Sequence, residues 1–366
     1  MGMLKIVSQN RAILIALLKY NKMRNVNILI LFISVMLSCV DDSKRVDNNI
    51  FVNRYKMNPV KYKINEIIKP VDIIVLDDYL VIMNELVSRE NIFFVYSLSS
   101  FEFLYSFANK GHGPKDYIAP ELIQNPSGNS LSVFDQFTFK LLKYQIGKEQ
   151  ESIIEERIVE IEDKRPLQEI YYHSDSIIIF STLDNKIQSY NLNVNKIVDS
   201  FQFKTNLKEN MNSDYNLSFD GFHFAYNNQN IIVGFYYLNK LVRGEVDAIG
   251  NISMRESVIE SESIPKISIF DNTLYYMYVY LSSDFIFAQY SGYLFKELQP
   301  FPINLGKRKF DMLLEVYNRN GEPVALIDLQ HDFLRCKIDE KNKKIYTWNL
   351  FEDFDFLLAY DYSIIK

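Results

Sequence analysis

The stretch DMLLEVYNRNGEPVALIDLQHDFLRCKIDEKNKKIYTWNLFEDFDFLLAYDY, residues 311–362, decides the fold. It alternates short runs of strand-forming residues with polar turns. Asn320-Gly321 is a strong hairpin signal because both residue types tolerate a positive φ. In LRCKI, residues 334–338, apolar and basic side chains alternate with the period of two that is typical of a half-buried strand. Such a meander of short strands needs similar units stacked beside it to bury both of its faces.

The same pattern of strands and turns recurs from Val71 onward. Its spacing is about forty to fifty residues, the range of propeller blades, and about six such units fit in the chain after residue 60. We therefore predict an all-β fold for residues 61–366, a six-bladed β-propeller of four-stranded antiparallel blades. Residues 311–362 then form the junction of the fifth and sixth blades, and Tyr62 to Ile68 is the candidate strand for closing the ring.

One segment, ESIIEERIVEIEDKR at residues 151–165, fits the repeat less well. Ile154, Ile158 and Ile161 lie at helical spacing with good helix formers between them. The alternative is an edge strand at Arg157 to Ile161. We favour the strand because the neighbouring segments are all strands.

The amino-acid composition excludes several classes of protein. The chain has 366 residues, 48% of them hydrophobic, which is enough for a sizeable core and argues against global disorder. Its net charge of −6 and the lack of a long basic run argue against nucleic acid as a partner. The two cysteines, Cys39 and Cys336, exclude a disulfide framework, and Cys336 is expected to be an inert core thiol.

The N-terminal region predicts export of the protein. Met23-Arg24 precedes an apolar run, Val26 to Leu37, and then Ser38-Cys39. A positive start, a short apolar region and a small residue before the processing point are typical of a secretory signal, and the run is short for a membrane span. The tail MLSC resembles a bacterial lipobox, so residues 23–38 are predicted to be a lipoprotein signal peptide with lipidation of Cys39. The alternatives are an uncleaved anchor and an ordinary signal peptide.

Two further expectations concern the flanks of this signal. Residues 1–22 precede Met23 and are interpreted as a mis-assigned start, the alternative being a longer n-region with its own apolar patch, Ala12 to Leu18. Residues 39–60 are polar and rich in Asn, which is typical of a flexible tether. Asp41-Asp42 resembles the surface-export signal of lipoproteins in Bacteroides-type bacteria.

Three motifs resemble the TolB-like six-bladed propeller lipoproteins of Bacteroides-type bacteria. They are the loop GHGPKDY at residues 111–117, the strand FIFAQYSG at residues 285–292 and the blade pattern of residues 311–362. The resemblance covers about residues 60–366. It implies a six-bladed propeller at the outer membrane of the cell envelope, and its motifs carry no known chemistry.

The search for catalytic or metal-binding patterns finds little. None of the four histidines lies near a second His or a Cys at ligand spacing, so neither a metal nor a cofactor is predicted. Gly111-His112-Gly113-Pro114 lacks the residues of a phosphate-binding loop, and Pro114 removes a donor that such a loop uses. A tight turn between blades is the plain interpretation, and a rim loop that presents His112 and Lys115 to a ligand is the functional one.

The run Tyr275-Tyr276-Met277-Tyr278-Val279-Tyr280 is the most unusual local pattern. Strand periodicity predicts that Tyr276, Tyr278 and Tyr280 share one face. The plain interpretation is core between blades. The functional alternative is an aromatic surface for a sugar or a peptide.

We therefore expect a non-catalytic, lipid-anchored envelope protein that binds a ligand, glycan or protein partner through its channel or loops. The first alternative is an enzyme of the lyase or glycosidase type with a site assembled at the channel. The second is a purely structural partner in an envelope complex. Carboxylates, His or Arg converging in a deep pocket would favour the enzyme, whereas a shallow aromatic funnel would favour binding.

Overall fold

The computed structural model describes residues 50–67, 69–84, 91–113, 116–125, 128–161, 166–203, 221–260, 271–297, 312–331, 333, 335–348 and 355–365. Their strands form six sheets in the order of the chain. Two short strands, β1 (Arg54–Lys56) and β2 (Val60–Lys63), come before the first blade. No helix among these residues is long and apolar enough to cross a membrane.

The first three blades contain the following strands. Blade one has β3 (Pro70–Val75), β4 (Tyr79–Asn84), β5 (Asn91–Ser97), β6 (Phe103–Lys110) and the short β7 (Asp116–Tyr117). Blade two has β8 (Pro120–Gln124), β9 (Ser130–Asp135), β10 (Lys140–Ile146) and β11 (Glu151–Ile158). Blade three has β12 (Leu167–Ser174), β13 (Ile177–Thr182), β14 (Lys186–Asn191) and β15 (Lys196–Gln202).

The remaining blades follow the same plan. Blade four has β16 (Phe222–Asn227), β17 (Asn230–Phe235), β18 (Lys240–Val246) and β19 (Ile252–Glu260). Blade five has β20 (Thr273–Leu281), β21 (Phe285–Leu294), β22 (Leu313–Asn318) and β23 (Pro323–Asp328), with a single 3₁₀ turn at Phe295–Glu297. Blade six has β24 (Cys336–Asp339), β25 (Lys344–Thr347) and β26 (Phe356–Asp361), completed by β2. The predicted all-β six-bladed propeller is confirmed, and residues 311–362 do join the fifth and sixth blades.

Each blade is an antiparallel meander whose second strand is buried on both faces, because the adjacent blades pack against it. In blade three, Ile178, Ile179 and Phe180 are fully buried. The outermost strand β15 instead alternates between exposed and half-buried positions. Blades one and five each carry a fifth strand that pairs in parallel at the outer edge: β7 on β6, and β1 on β23. These additions depart from the predicted four strands.

The N-terminal strands close the ring. β2 pairs antiparallel with β26, from Val60 opposite Ala359 to Lys63 opposite Phe356. The Ile64 N–H donates to the carbonyl of Asp355 at 2.8 Å, and Ile64 and Ile67 are buried in the core of the sixth blade. Closure therefore occurs where the sequence predicts it, although the paired strand ends at Lys63; Ile68 lies outside the described residues.

Within the ambiguous segment of residues 151–165, Glu151–Ile158 is a strand, the form that we favoured over a helix, and residues 162–165 lie outside the described residues. β11 covers Glu151–Ile158 and pairs with β10 as the outer edge of blade two, so it starts earlier than predicted. The next residues, Val159 and Ile161, turn inward and are buried. Cys336 is buried in the core between blades five and six, as expected of an inert thiol.

The turn between β22 and β23 uses one positive φ. Gly321 has a φ of 88°, whereas Asn320 is not among the residues with a positive φ. Asn318 stabilises the turn through its side chain, whose Oδ1 accepts from the backbone N–H groups of Asn320 at 2.9 Å and Glu322 at 3.0 Å. The Asn-Gly signal therefore locates the hairpin correctly, but only its glycine needs the left-handed region.

Replacing Gly321 with alanine is expected to lower the free energy of unfolding by about 1–3 kcal/mol, the usual cost of a strained backbone residue. An added Cβ would lie 2.7 Å from Cγ1 of Val258 in the neighbouring blade, in addition to the strained φ. Urea unfolding would measure the loss. Gly128→Ala is the matched control, because Gly128 has a φ of 80° but no atom lies within 4 Å of the place that its Cβ would take; equal losses for both variants would contradict the packing argument.

Candidate functional site

The first strand of each blade lies at the inside of the ring, and each blade brings one polar side chain to the central channel. We call this set the channel ring: Asp72, Glu121, Glu169, His223, Tyr278 and Arg335. The first five lie on β3, β8, β12, β16 and β20, and Arg335 immediately precedes β24. All six are half-buried. Arg335 of blade six contacts Tyr278 of blade five, which contacts His223 of blade four, and His223 contacts Glu169 of blade three. The charge of Arg335 also acts on groups of blades one to four, as expected only of side chains near the axis of the ring.

Arg335 holds one side of the channel ring together. Its Nη1 lies 3.4 Å from Oδ2 of Asp72, and its Nε donates to the Tyr278 hydroxyl at 3.2 Å. The guanidinium also lies 5.2 Å from the centroid of the Tyr278 ring, within the range of a cation–π interaction. Burial lowers the pKa of Arg335, but Asp72 and Tyr278 outweigh it and hold the pKa above its usual value. Arg335 is therefore a permanent cation in the channel.

His223 and Glu169 form the opposite side. The imidazole stacks on Tyr278 with centroids 4.1 Å apart. Its Nδ1 contacts a carboxylate oxygen of Glu169, and the hydroxyl of Tyr236 contacts its Nε2. Burial, and then the charge of Arg335, lower the pKa of His223 to about 3. A neutral imidazole fits these contacts, since Nδ1–H can donate to Glu169 while Nε2 accepts from Tyr236, whose pKa burial raises.

Glu121 is a carboxylic acid of the channel ring whose pKa lies well above its ordinary value. Burial raises its pKa to about 7, against hydrogen bonds that favour the ionised form. One of its oxygens accepts the backbone N–H of Glu169 at 3.0 Å, and the other contacts the amide of Gln136. The carboxyl group of Glu121 can therefore gain or lose a proton near neutrality without leaving its position.

Lys337 adds a second cation. It lies two residues after Arg335, on the same face of the strand, and is half-buried. Burial lowers its pKa, while Asp72 raises it. In the part of the chain that the structure describes, its ammonium group has no hydrogen bond or ion pair. The channel thus combines paired charges with one cation that is available to a ligand.

The Glu169 carboxylate joins blade three to blade four. Its Oε2 accepts the backbone N–H of Phe224 at 2.6 Å. Glu169 has a φ of 50° at an irregular step in the pairing of β12 with β13. Such a bulge re-aims the side chain, which here reaches the adjacent blade.

Replacing Glu169 with alanine is expected to cost about 1–3 kcal/mol in the free energy of unfolding, because the Phe224 N–H and His223 would lose their acceptor. Alanine meets the same positive φ as glutamate, so the change isolates the carboxylate. Glu169→Gln, which retains an acceptor oxygen, should lose less. Chemical denaturation would measure both, and equal losses would refute the role given to the carboxylate.

His112, one of the two loop residues predicted from sequence, lies at the outer part of blade one and not in the channel ring. His112 is exposed in a bend that follows β6, and Asp116 stabilises this bend by accepting the Gly113 N–H at 2.9 Å. The bend closes blade one, in agreement with the turn interpretation. Lys115 and Cys39 lie outside the described residues.

Tyr278 and Tyr280 share a face as expected, with ring centroids 6.4 Å apart, but Tyr276 does not lie on it. Irregular pairing between β20 and β21 on both sides of Tyr276 breaks the period of two. Tyr276 is fully buried, and its hydroxyl donates to Asn239 and to Glu315, so it belongs to the core. Tyr278 faces the channel ring. Tyr280 accepts the Cys336 N–H at 2.9 Å and packs between blades five and six.

Sequence reasoning missed the channel ring. Its members are single polar residues within largely apolar strands, separated from one another by whole blades. The one available signal was an ionisable residue near the start of an inner strand, as in PVDIIV and FHFAYN. No group of three or more His, Cys, Asp or Glu side chains among the described residues is arranged to hold a metal ion.

Comparison with known proteins agrees with this architecture. The family model described as TolB-like 6-blade propeller-like matches residues 60–341. A Bacteroides fragilis protein whose name assumes that it is exported superposes with a TM-score of 0.52 at 13% identity, over 87% of this chain and 97% of that one. The β-propeller domain of Cps50 (Swd1) from Myceliophteria thermophila superposes with a TM-score of 0.51 at 9% identity, over 84% of this chain and 100% of that one.

At these identities the two structures show a shared fold and nothing more. No curated protein sequence matches the chain. The family model, in contrast, spans well over half of the 366 residues and covers strands of all six blades. The chain therefore belongs to the TolB-like six-bladed propeller family.

Proposed function

We propose that this protein is a non-catalytic binding or scaffold propeller of the bacterial cell envelope, which takes a small polar ligand or a segment of a partner in its central channel. A TolB-like propeller is consistent with a binding or scaffold role. The observation that carries the proposal is the channel itself, where Arg335 and Lys337 supply positive charge beside acidic and aromatic groups. Such a combination binds anionic groups and hydroxyls through charge-assisted hydrogen bonds.

The pairing within the ring favours binding over catalysis. His223 is neutral and engaged on both ring nitrogens, and Glu169 is tied to His223 and Phe224. Neither group is then free to act as a general base without breaking these contacts. The hydroxyl of Tyr278 likewise accepts from Arg335.

A thermal-shift screen of anionic sugars, sugar acids and short peptides would test the proposal. A ligand of the channel should raise the Tm of the wild-type protein and lose affinity in Lys337→Met. Lys61→Met, on the outer strand β2, removes one positive charge outside the channel and should behave like the wild type. A ligand whose affinity falls equally in both variants would not be a channel ligand.

The proposed cellular location is the outer membrane, to which a lipid on Cys39 would anchor the protein. Asp41-Asp42 would direct the protein to the cell surface. The lipobox-like tail of residues 36–39 supports the anchor, and the B. fragilis protein of the same fold is also named as exported. Mass spectrometry of the mature N-terminus should find diacylated Cys39, and Cys39→Ser should release the protein from membranes. An unmodified Cys39 in a chain that starts upstream of residue 39 would contradict this part of the proposal.

An enzyme of the lyase or glycosidase type is the second candidate, and one observation favours it. Carboxylates, a histidine and an arginine do converge in the channel, and the pKa of Glu121 lies near neutrality, where a general acid works best. Incubation with envelope and plant polysaccharides would test it. Product formation that Glu121→Gln abolishes while folding is retained would replace the binding proposal by this one.

A further inference from the structure

A second polar site lies between blades four and five, away from the channel ring. It is a small open cavity lined by three arginines, Arg243 on β18, Arg255 on β19 and Arg319 in the turn between β22 and β23. Asn230 and Glu245 complete its polar wall, and Leu281 and Ile286 form its apolar side. The three arginines come from three separate elements and two blades, so no local sequence pattern explains why they meet.

Arg243 is incompletely satisfied in this cavity. Its Nη1 donates to the backbone carbonyl of Arg319 at 2.8 Å. Its Nε is buried and has no hydrogen-bond partner among the described residues. A buried N–H of a guanidinium is costly to leave unpaired, and native proteins pair nearly all such groups. The unpaired Nε therefore indicates a missing acceptor.

Arg319 supplies a second guanidinium to this cavity. In the described part of the chain its guanidinium makes no hydrogen bond and no ion pair within 4 Å, although Glu340 and Asp284 act on it from a distance. Burial lowers its pKa, which records the loss of water around the charge. Arg255, by contrast, is paired with Glu245. One of the three positive charges is thus neutralised within the cavity wall, and two are left.

We propose that this cavity binds a small oxyanion, a phosphate or carboxylate group, held by Arg243 and Arg319. Guanidinium groups offer forks of N–H donors that match both kinds of oxyanion, and charge-assisted bonds of this type are the strong ones. The cavity has a volume of about 40 Å³, which admits a small group, since about 10–15 Å³ measured in the same way holds one water. The anion would satisfy the buried Nε and join blade four to blade five.

Isothermal titration of the full-length mature protein with inorganic phosphate, sulfate and acetate tests the site. The wild-type protein should bind at least one of these anions saturably, and Arg319→Gln should weaken that binding about tenfold or more, the effect of losing one charge-assisted contact. Preference for phosphate and sulfate would assign a tetrahedral group, and preference for acetate a carboxylate. Arg243→Gln should act in the same way, but Arg319 lies in a turn and its variant is the safer one for folding.

Arg157→Gln is the matched control, because Arg157 lies on the outer strand of blade two and is paired with Glu155. It makes the same change in net charge and should bind like the wild type. Equal weakening in Arg157→Gln and Arg319→Gln would show a general charge effect and overturn the site. So would the absence of saturable binding of all three anions to a wild-type protein that unfolds cooperatively. Neither result would bear on the channel, whose ligand is tested through Lys337.

Discussion

A chain that begins at residue 64 is expected to lose most or all of its folding stability, whereas one that begins at residue 50 keeps it. The shorter chain lacks β1 and β2, so the sixth blade loses its outer strand and the fifth its parallel edge strand. It also lacks Phe51 and Met57, each about 5% exposed. Burial of one such side chain contributes about 1.5–3 kcal/mol, so these two alone account for a large part of a total stability of about 5–15 kcal/mol.

Fluorescence of the single tryptophan measures this effect where it arises. Trp348 is 2% exposed and packs in the same core as Ile64 and Ile67. Urea unfolding followed at Trp348 should show a cooperative transition for the chain from residue 50. The chain from residue 64 should show a midpoint shifted far down, or no transition, together with aggregation through the uncovered edge of Phe356–Asp361. Equal midpoints for the two chains would mean that the terminal strands do not hold the ring closed.

Much of the fold follows from local sequence because blade strands are short and regular. In residues 335–338 the period of two holds, because Cys336 and Ile338 pack in one core while Arg335 faces the channel. The period fails where the chain inserts a bulge. Thr273–Leu281 has two irregular steps, and these turn Tyr276 into the core while Tyr278 faces the channel. A bulge depends on packing against the neighbouring blade, which a single strand's sequence does not encode.

The channel ring could not be predicted for a related reason. Asp72 and Arg335 are more than 250 positions apart in the chain, yet they form one ion pair because the ring closes. Glu169 reaches His223 only through a backbone with a φ of 50°, an unusual conformation for a glutamate. The sequence predicts short strands that recur in units of about forty to fifty residues. It does not predict their heights along the channel, and those heights decide which side chains meet.

Glu121 and His223, two half-buried groups of the channel ring, are expected to give opposite pH dependences that largely cancel in the wild-type protein. The pKa of Glu121 rises from 4.5 to about 7 on folding, so between these values the folded state holds a proton that the unfolded state releases. Stability from Glu121 is therefore lost as the pH rises through 7. The pKa of His223 falls from 6.5 to about 3, so below pH 6.5 the unfolded state takes up a proton that the folded state excludes. Stability from His223 is lost as the pH falls.

Single variants should separate the two slopes. In Glu121→Gln only the histidine remains, and the free energy of unfolding should fall by about 2–3 kcal/mol between pH 6.5 and 4.5, at about 1.4 kcal/mol for each pH unit and proton. In His223→Gln only the carboxyl group remains, and stability should increase by a similar amount over the same interval. Both substitutions keep a hydrogen-bonding side chain at the site. Urea unfolding at a series of pH values measures the slopes directly.

The double variant Glu121→Gln with His223→Gln provides the control for every other titratable group of the chain. Its profile should be parallel to that of the wild type between pH 4.5 and 6.5, because the two opposing terms are removed together. Arg335, Asp72 and Glu169 surround both sites and remain in all four proteins, so their contributions subtract. If both single variants followed the wild-type slope, Glu121 and His223 would titrate alike in the folded and unfolded states. The channel would then be far better hydrated than its contacts indicate.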